Sequence, residues 1–469
     1  MNTLRLDITD LEPSLRQSVS SEIANHYKII PKAFEKESIS FYSDETQKQK
    51  EIEIRGELEL IFDKKVEIIF IASDDINKSL SINYRENKRS NSNQVSEGSF
   101  IEDLIFEAES IGASDIHLEV FEKSVRIRLR IDGQLIERNF LEKENYLEVI
   151  NQIKIKSNLD ITEKRLPQDG RIEYENFDLR ISILPTHYGE KVVMRILGRD
   201  ASHLNLDKLG LEDFEFREYL DSVRKSFGLV LISGPTGSGK TTTLYATLKH
   251  LNDIKRNIVT VEDPIEYVLE GINQVQLKED IGLNFTKALR SFLRQDPDII
   301  MLGEIRDGET AQMAIRASLT GHLVLSTIHT NSAIGTVSRL IDMGVPGFLI
   351  AETLNISVAQ RLLRTLCTYC KEIRNLNRDD LPSMYHNKDL PQNHFVPKGC
   401  DKCYHTGFNG RKAIYEVLPI TNEVIKLIKS GNIESYSYQD RKNLAEKAFD
   451  LFKNGETSLD EIYPILINL

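Results

Sequence analysis

The sequence predicts an α/β protein built on a parallel β-sheet whose two faces are covered by helices. From about residue 225, apolar strands alternate with stretches that are predicted to be helical; the strands are GLVLISG, NIVTVEDP, DIIMLGE and HLVLSTIH, and the helices run through Leu251, over 285–293 and through Thr320. This alternation is typical of a parallel sheet. Ligands of such sheets bind at the carboxyl ends of the strands, so motifs at those ends are the first candidates for function.

Length and composition indicate a globular protein of several domains. The chain has 469 residues, 40% of them hydrophobic and 28% charged, and a length of this order predicts about three domains. The net charge of -12 argues against nucleic-acid binding by the chain as a whole. The start, MNTLRLDITDLEPSLRQ, lacks the basic and apolar regions of a signal peptide, and no uninterrupted apolar run reaches the roughly 18 residues that a membrane span needs. We therefore expect a cytoplasmic protein whose membrane contact is peripheral or made through a partner.

Two domains of mixed α and β structure are predicted before the parallel sheet. Residues 1–90 combine predicted strands at 51–62 and 66–72 with charged helical stretches, which favours a small docking domain, and the polar residues 91–99 are predicted to be a linker. Residues 100–205 begin with a predicted helix over 100–111 and continue as strands in DIHLEVFEKSVRIRLRIDG and FDLRISILP. In RIRLRI, the alternation places three arginines on one face of a half-buried strand. That face is either a solvated surface or a positive site, and the pattern alone does not decide between them.

The stretch GPTGSGKTT fits the phosphate-loop pattern, and it follows the strand LVLIS and precedes a predicted helix. Glycines let backbone N–H groups curl around phosphate oxygens, and the helix N-terminus adds a favourable field. Lys240 is predicted to reach the β- and γ-phosphates, and Thr241 is predicted to hold Mg²⁺. The predicted nucleotide-binding residues are Gly234, Pro235, Thr236, Gly237, Ser238, Gly239, Lys240, Thr241 and Thr242.

Charged and polar side chains follow the later strands. Glu262, Asp263 and Glu266 come just after IVTV; Glu304 follows the run IIMLG; His322 precedes the strand LVLSTI and His329 ends it. Phosphoryl transfer needs charge neutralisation and an oriented water, which such groups supply. Each carboxylate alone could equally be a helix cap, but their order along the sheet favours a catalytic edge.

The four cysteines form two CxxC pairs, CTYC and CDKC, with 29 residues between the pairs. Four thiolates at this spacing predict a closed, structural Zn²⁺ site at Cys367, Cys370, Cys400 and Cys403. Paired disulfides are the alternative, which a reducing cytosol disfavours.

Several blocks closely resemble a known family. VEDPIEY, LRQDPDIIMLGEIRDGETA and TGHLVLSTIHTNSA are similar to the Asp box, Walker B and His box of the secretion ATPases that drive type II secretion and type IV pilus assembly. The similarity spans about residues 100–420 and includes ASDIHLEV, QRLLRTLC and TGFNGRKAIYEVL. It implies a RecA-like ATPase domain over 206–469, a zinc subdomain over about 365–412, and a PAS-like α+β domain over 100–205.

The resemblance also implies roles for the residues at the strand ends. Glu262 would be the general base, Glu304 would act on the Mg²⁺ side, and His329 with His322 would sense the γ-phosphate. A glycine commonly precedes the Walker B glutamate in these ATPases, so Gly303 is no defect. Arg180 and Arg195 match the arginines of the preceding domain that complete the ATP site, acting either in cis or across a subunit boundary.

By this resemblance, the chain is expected to be a hexameric ATPase, peripheral at the inner membrane, which uses ATP, Mg²⁺ and structural Zn²⁺. Its expected partners are the platform and docking proteins of a secretion or pilus machine. A nucleic-acid translocase or competence DNA-uptake motor is the alternative, although a basic segment interleaved with aromatics, which would favour strand binding, is missing from the sequence. A nucleotide sensor that does not hydrolyse ATP is a further alternative, against which Glu262, Glu304 and His329 argue.

Overall fold

The computed structural model describes residues 11, 15–16, 18–19, 21–35, 38–62, 64–84, 100–141, 143–198, 204–386, 390–438 and 441–467. The predicted linker at 91–99 lies outside these residues. The described residues through Tyr84 form one compact unit, and those from Phe100 onward form a second, apart from the short loop 398–407.

The N-terminal unit is a small sheet with helices. Its elements are α1 (Ser21–Tyr27), β1 (Ile29–Phe34), β2 (Ser38–Asp44), α2 (Glu51–Phe62), β3 (Lys65–Ile71) and α3 (Ser73–Asn83). Strand β2 is central, antiparallel to β1 and parallel to β3. The strand predicted at 66–72 is therefore present, and it begins one residue earlier.

The strand predicted over residues 51–62 is wrong, because this segment is helix α2. Glutamates alternate with Ile and Leu here, which imitates the two-residue period of a strand. The side chains that are buried, Ile54 and Leu58, are four residues apart, whereas Ile52 is 81% exposed. Residues at i and i+4 share one face of a helix, and Glu and Leu are good helix formers. The helical period thus prevails over the alternation.

Residues 100–198 form an antiparallel sheet with two helices. The elements are α4 (Phe100–Ser110), β4 (Asp115–Val120), β5 (Val125–Ile131), β6 (Gln134–Leu141), α5 (Lys143–Lys156), β7 (Gln168–Glu173), β8 (Phe177–Thr186) and β9 (Gly189–Gly198). The strand order is β6-β5-β4-β9-β8-β7, with every neighbouring pair antiparallel. The helix predicted over 100–111 and the strands predicted in this region are confirmed.

The alternation predicted for RIRLRI is also confirmed. Ile127 and Leu129 are buried in the core. On the other face, Glu119 accepts from Arg126 and Arg128, with Nη2 to carboxylate distances of 2.9 Å and 2.8 Å. Hydrogen bonds from these cations outweigh the effect of burial and lower the pKa of Glu119 to about 2. The arginines of this face are therefore paired within their own sheet, although Arg126 and Arg128 share a single carboxylate.

The last and largest part contains the predicted parallel sheet. Its helices are α6 (Asp213–Val223), α7 (Lys240–Leu251), α8 (Phe285–Phe292), α9 (Gly308–Leu319), α10 (Ala333–Asp342), α11 (Gly347–Thr353), α12 (Asn422–Ser430), α13 (Leu444–Lys453) and α14 (Leu459–Ile467). Its strands are β10 (Gly228–Ser233), β11 (Ile258–Glu262), β12 (Asn273–Gln276), β13 (Ile299–Leu302), β14 (Leu323–Ile328), β15 (Leu354–Leu366), β16 (Glu372–Asn375), β17 (Asn393–Val396) and β18 (Phe408–Pro419). Strands β16 and β17 pair as a separate antiparallel ribbon.

The main sheet has the order β12-β11-β13-β14-β10-β15-β18, and only β18 in it is antiparallel to its neighbour. Strand β10 is buried along its whole length. Leu229 and Leu231 belong to the core on one face of the sheet, and Val230 and Ile232 belong to the core on the other. Helices therefore cover both faces, as predicted, and polar chemistry is left to the carboxyl ends of the strands.

In the described part of the chain, each helix is either too short or too polar to span a bilayer.

Candidate active site

The phosphate loop connects β10 to α7 and depends on glycine. Gly234, Gly237 and Gly239 have φ values of +148°, +80° and +87°, which side chains with a Cβ rarely adopt. A Cβ on Gly234 would lie 2.5 Å from the carbonyl oxygen of Gln360, and one on Gly239 would lie 2.8 Å from Gln360 Nε2. The loop therefore curls tightly against β15 and opens at the N-terminus of α7, an arrangement that suits phosphate.

Lys240 is the first residue of α7, and its ammonium group lies against the loop. Nζ donates to the carbonyl oxygens of Gly234 at 2.7 Å and Pro235 at 3.0 Å. Burial lowers the pKa of Lys240, while the negative charge of Glu304 opposes this shift. Thr241, the predicted Mg²⁺ ligand, is exposed at the next position.

Glu262 ends β11 and is only 3% exposed. Its carboxylate accepts from Tyr245 Oη, from Thr260 Oγ1 at 2.5 Å and from Gln274 Nε2 at 3.1 Å. Burial raises the pKa of Glu262, although these three hydrogen bonds work in the opposite direction. The result is an oriented carboxylate of raised basicity, which is what a general base near neutral pH requires.

Glu304 follows β13 and lies between the side chains of Arg306 and His329. Arg306 Nη2 is 2.5 Å from Oε1, and His329 Nε2 is 3.1 Å from Oε2. Burial favours protonation of Glu304, but the hydrogen bonds and charges of Arg306 and His329 prevail and lower its pKa. Glu304 is therefore held ionised, whereas the environment of Glu262 raises its basicity.

Gly303 lies where a side chain would meet β11. A Cβ at this position would be 3.4 Å from the carbonyl oxygen of Val261 and 3.5 Å from the Cα of Glu262. A carboxylate at position 303 would thus start beside Glu262, and the two acids would repel each other. Glycine keeps Glu262 and Glu304 as separate groups on neighbouring strands.

The two histidines lie at opposite ends of β14. His329 follows the carboxyl end and contacts Glu304. His322 precedes the amino end, where its Nδ1 is 2.9 Å from the carbonyl oxygen of Ala317. A strand of six residues separates them, which is about 20 Å. Contrary to the prediction, the structure does not bring His322 to the group around Glu304.

Arg180 and Arg195 stand directly opposite each other on β8 and β9. Arg180 donates to the carbonyl oxygen of Ile265, and its Nη1 lies 3.9 Å from Glu266 Oε2. Arg195 instead donates to Asp115 of the adjacent strand β4 at 3.0 Å, with 59% of its side chain exposed. Within one chain, only Arg180 of this pair contacts the loop that follows Glu262. The catalytic roles of both stay predictions.

The four cysteines are brought together by the fold. Their sulfur atoms lie within 4.8 Å of one another, none of the four is in a disulfide, and the sulfurs of Cys400 and Cys403 are 3.8 Å apart. Tetrahedral zinc with Zn–S bonds of about 2.3 Å requires sulfurs about 3.8 Å apart. The cluster therefore fits a structural Zn²⁺ ion, which small movements of the sulfurs would complete.

Sequence patterns missed the residues that support this edge. Tyr245, Thr260 and Gln274 orient Glu262, while Gln360 and Arg361 of β15 lie beside the phosphate loop. Gln360 and Arg361 are about 120 residues from the loop in sequence and adjacent to it in space. The block QRLLRTLC resembles the family, but no local sequence pattern indicates that it lies beside the phosphate loop.

The main sheet has a phosphate loop directly after the interior strand β10 and a buried acid at the end of β11, the next strand in sequence. These features define a P-loop nucleotide hydrolase of the ATPase class. Within that class, the chain belongs to the type II/IV secretion system protein family, which it matches over residues 91–464. The predicted family and the predicted ATPase class are thus confirmed.

Known relatives and a solved structure agree with this membership. The type IV pilus assembly ATPase PilB of Myxococcus xanthus is 38% identical over 494 residues, covering 97% of this chain and 87% of that protein. The type II secretion system protein E of Pseudomonas aeruginosa is 47% identical over 335 residues, covering 71% and 67%. A crystal structure of the pilus retraction motor PilT with bound ADP is 28% identical with a TM-score of 0.55, covering 77% of this chain and 96% of that one. None of these relatives favours the translocase alternative.

Proposed function

We propose that this protein is an ATP-hydrolysing motor that powers the assembly of a type IV pilus or of a type II secretion pseudopilus. The observation that carries the proposal is the pair of separated acids, Glu262 and Glu304, at the same sheet edge as the phosphate loop. The membership in the secretion family and the relatives named for both machines support it.

In this proposal, the residues divide the work of phosphoryl transfer. Lys240 and the loop backbone hold the phosphates. Glu262 accepts a proton from the attacking water at its carboxylate, and Tyr245 with Thr260 fixes the direction in which that carboxylate points. When bound, Mg²⁺ supplies charge neutralisation on the phosphates, and Thr241 with Glu304 would hold it directly or through water.

Arg180 gives the proposed motor a link between its domains. It lies on the sheet of residues 100–198 and contacts Ile265 and Glu266 on the loop after Glu262. A movement of that sheet would therefore reach the loop, and nucleotide binding would in turn act on the sheet. We propose that Arg180 neutralises charge in the transition state, and that Arg195 does so only after leaving Asp115.

The proposal includes a hexamer that works on an inner-membrane platform protein, with residues 1–90 as its docking domain. The domain boundaries at 100–205 and 206–469 belong to the same proposal. It places the protein on the cytoplasmic side of the membrane, with no direct contact to nucleic acid.

Phosphate release tests this function. The purified chain would be assayed with ATP in buffer, with single-stranded DNA, with anionic vesicles and with neutral vesicles. We expect release in buffer and stimulation by anionic vesicles alone, because the proposed motor works at a membrane. Stimulation by DNA alone would instead favour a translocase, and no release under any of these conditions would contradict the proposal.

Structural zinc is the second prediction. Metal analysis of the purified protein should give one Zn²⁺ per chain, and Cys403→Ser should lose the metal and lower the melting temperature, since structural zinc sites contribute directly to folding stability. His405→Ala is the matched control, because His405 adjoins the cluster but its Nε2 contacts Asp401. Zinc-free wild type, or a Cys403→Ser variant that keeps its zinc, would contradict the predicted zinc site.

A further inference from the structure

Strand β15 extends past the end of β10 and brings two residues alongside the phosphate loop. The last residue of β10, Ser233, pairs with Ala359 of β15. Gln360 and Arg361 therefore lie beyond the part of β15 that pairs with β10, where β15 still pairs with β18. A Cβ on Gly234 would be 3.2 Å from Arg361 Nη1. The guanidinium of Arg361 therefore lies against the first residue of the loop.

The same guanidinium reaches the segment that follows β14. Its Nη1 donates to the carbonyl oxygen of Gln360 at 3.0 Å, and its Nη2 donates to the carbonyl oxygen and Oδ1 of Asn331 at 3.0 Å and 3.3 Å. Asn331 is two residues after His329, which contacts Glu304. Arg361 thus lies against the phosphate loop while it is hydrogen-bonded to the segment that carries His329.

The environment of Arg361 favours a fixed position over a solvated one. The side chain is half-buried, and within the described residues its hydrogen bonds go to carbonyl and amide oxygens and not to a carboxylate. Burial lowers the pKa of Arg361, and the charge of Arg361 in turn contributes to the lowered pKa of Lys240. A guanidinium presents several N–H donors in a rigid planar fork, which an ammonium cannot reproduce. That fork lets one side chain bond the carbonyl oxygens of Gln360 and Asn331 at the same time while it lies against Gly234.

We propose that Arg361 is a positioning residue for ATP hydrolysis, which holds the His329 segment in place beside the phosphate loop. The inference rests on the proposed function, because it assigns Arg361 to the reaction at that loop. Arg361 acts through the backbone of Asn331, and so through His329, and its effect is on turnover more than on ATP binding.

The first test compares Arg361→Ala and Arg361→Lys with Arg374→Ala, which removes an exposed arginine on β16. Initial rates of phosphate release give kcat and KM for ATP, and a melting temperature checks folding. We expect kcat to fall about 10- to 100-fold in both Arg361 variants, the size of effect that a small misplacement of catalytic groups produces, with KM nearly unchanged. Arg374→Ala should match wild type. Should Arg361→Ala fail to fold, Arg361→Lys carries the same comparison.

A double substitution gives the second test. If Arg361 acts through His329, the Arg361→Ala/His329→Ala protein should be about as slow as His329→Ala alone, since coupled residues are not additive. The inference would be overturned if the losses of kcat in the two single variants multiplied in the double variant. It would also be overturned if Arg361→Lys had the kcat of wild type, or if the Arg361 variants raised KM and left kcat unchanged. Either of these last two results would make Arg361 a simple phosphate-binding cation. A wild-type protein that releases no phosphate would instead overturn the proposed function itself.

Discussion

Glu262→Gln is expected to keep ATP binding while losing most turnover. Glutamine preserves the size of the side chain. Its amide oxygen can still accept from Thr260, and its amide nitrogen can donate to the Tyr245 hydroxyl, which can accept as well as donate. It cannot accept a proton from water, and loss of a general base typically costs about 10²- to 10⁴-fold in rate. Nucleotide affinity should stay within a few fold of wild type, because the phosphate loop is untouched. Steady-state phosphate release and titration with a fluorescent ATP analogue measure the two quantities.

Glu270→Gln is the matched control for this substitution. Glu270 lies on the loop between β11 and β12 and is exposed, so its neutralisation should leave both turnover and binding unchanged. A pH profile adds an independent readout. Burial raises the pKa of Glu262, so wild-type activity should fall as the pH drops through that raised value, and Glu262→Gln should lack this dependence. Normal turnover in Glu262→Gln would refute its assignment as the base.

The parts of the protein that could be predicted are those in which local pattern and fold coincide. GPTGSGKT lies directly between β10 and α7, so its glycines, its lysine and its helix N-terminus are neighbours in sequence as well as in space. Glu262 and Glu304 could be placed near each other because neighbouring parallel strands end at one edge.

The parts that could not be predicted depend on contacts across the sheet. Tyr245 reaches Glu262 from α7 on one face, and Arg361 reaches the phosphate loop from β15. Neither contact has a local signature. His322 was misassigned because its sequence neighbours resemble those of an active-site residue, although a strand runs from amino to carboxyl end between His322 and His329. Residues 51–62 were misassigned because their sequence fits both the two-residue period of a strand and the period of a helix. The burial of side chains four residues apart, which only the packed structure reveals, shows that the helix forms.

The arginines of residues 100–198 illustrate how the fold refines a family expectation. Arg195 and Arg180 are cross-strand neighbours, an arrangement of like charges that would be unfavourable without partners. Asp115 pairs with Arg195, and the carbonyl oxygen of Ile265 accepts a hydrogen bond from Arg180. The two residues are therefore not equivalent in this conformation. Arg195 is paired with Asp115 and largely exposed, whereas Arg180 is already in contact with the loop after Glu262.

Lys240→Ala is expected to weaken nucleotide binding and to abolish phosphate release. The ammonium group lies on the carbonyls of Gly234 and Pro235, so the substitution removes a charge at the phosphate site and also two hydrogen bonds that hold the loop. A charge-assisted hydrogen bond is roughly twice as strong as a neutral one. Because the variant cannot form such a bond to the phosphates, binding of the fluorescent ATP analogue should fall by at least about tenfold, the change that 1.4 kcal/mol gives.

Lys255→Ala controls for the loss of a lysine, since Lys255 is exposed beyond the end of α7. It should bind and hydrolyse ATP as wild type does. The lowered pKa of Lys240, which burial causes, further implies that its charge is costly unless an anion shares the site. ATP should therefore raise the melting temperature of the wild type but not that of Lys240→Ala. A variant that is stabilised by ATP as strongly as wild type would show that the nucleotide binds elsewhere.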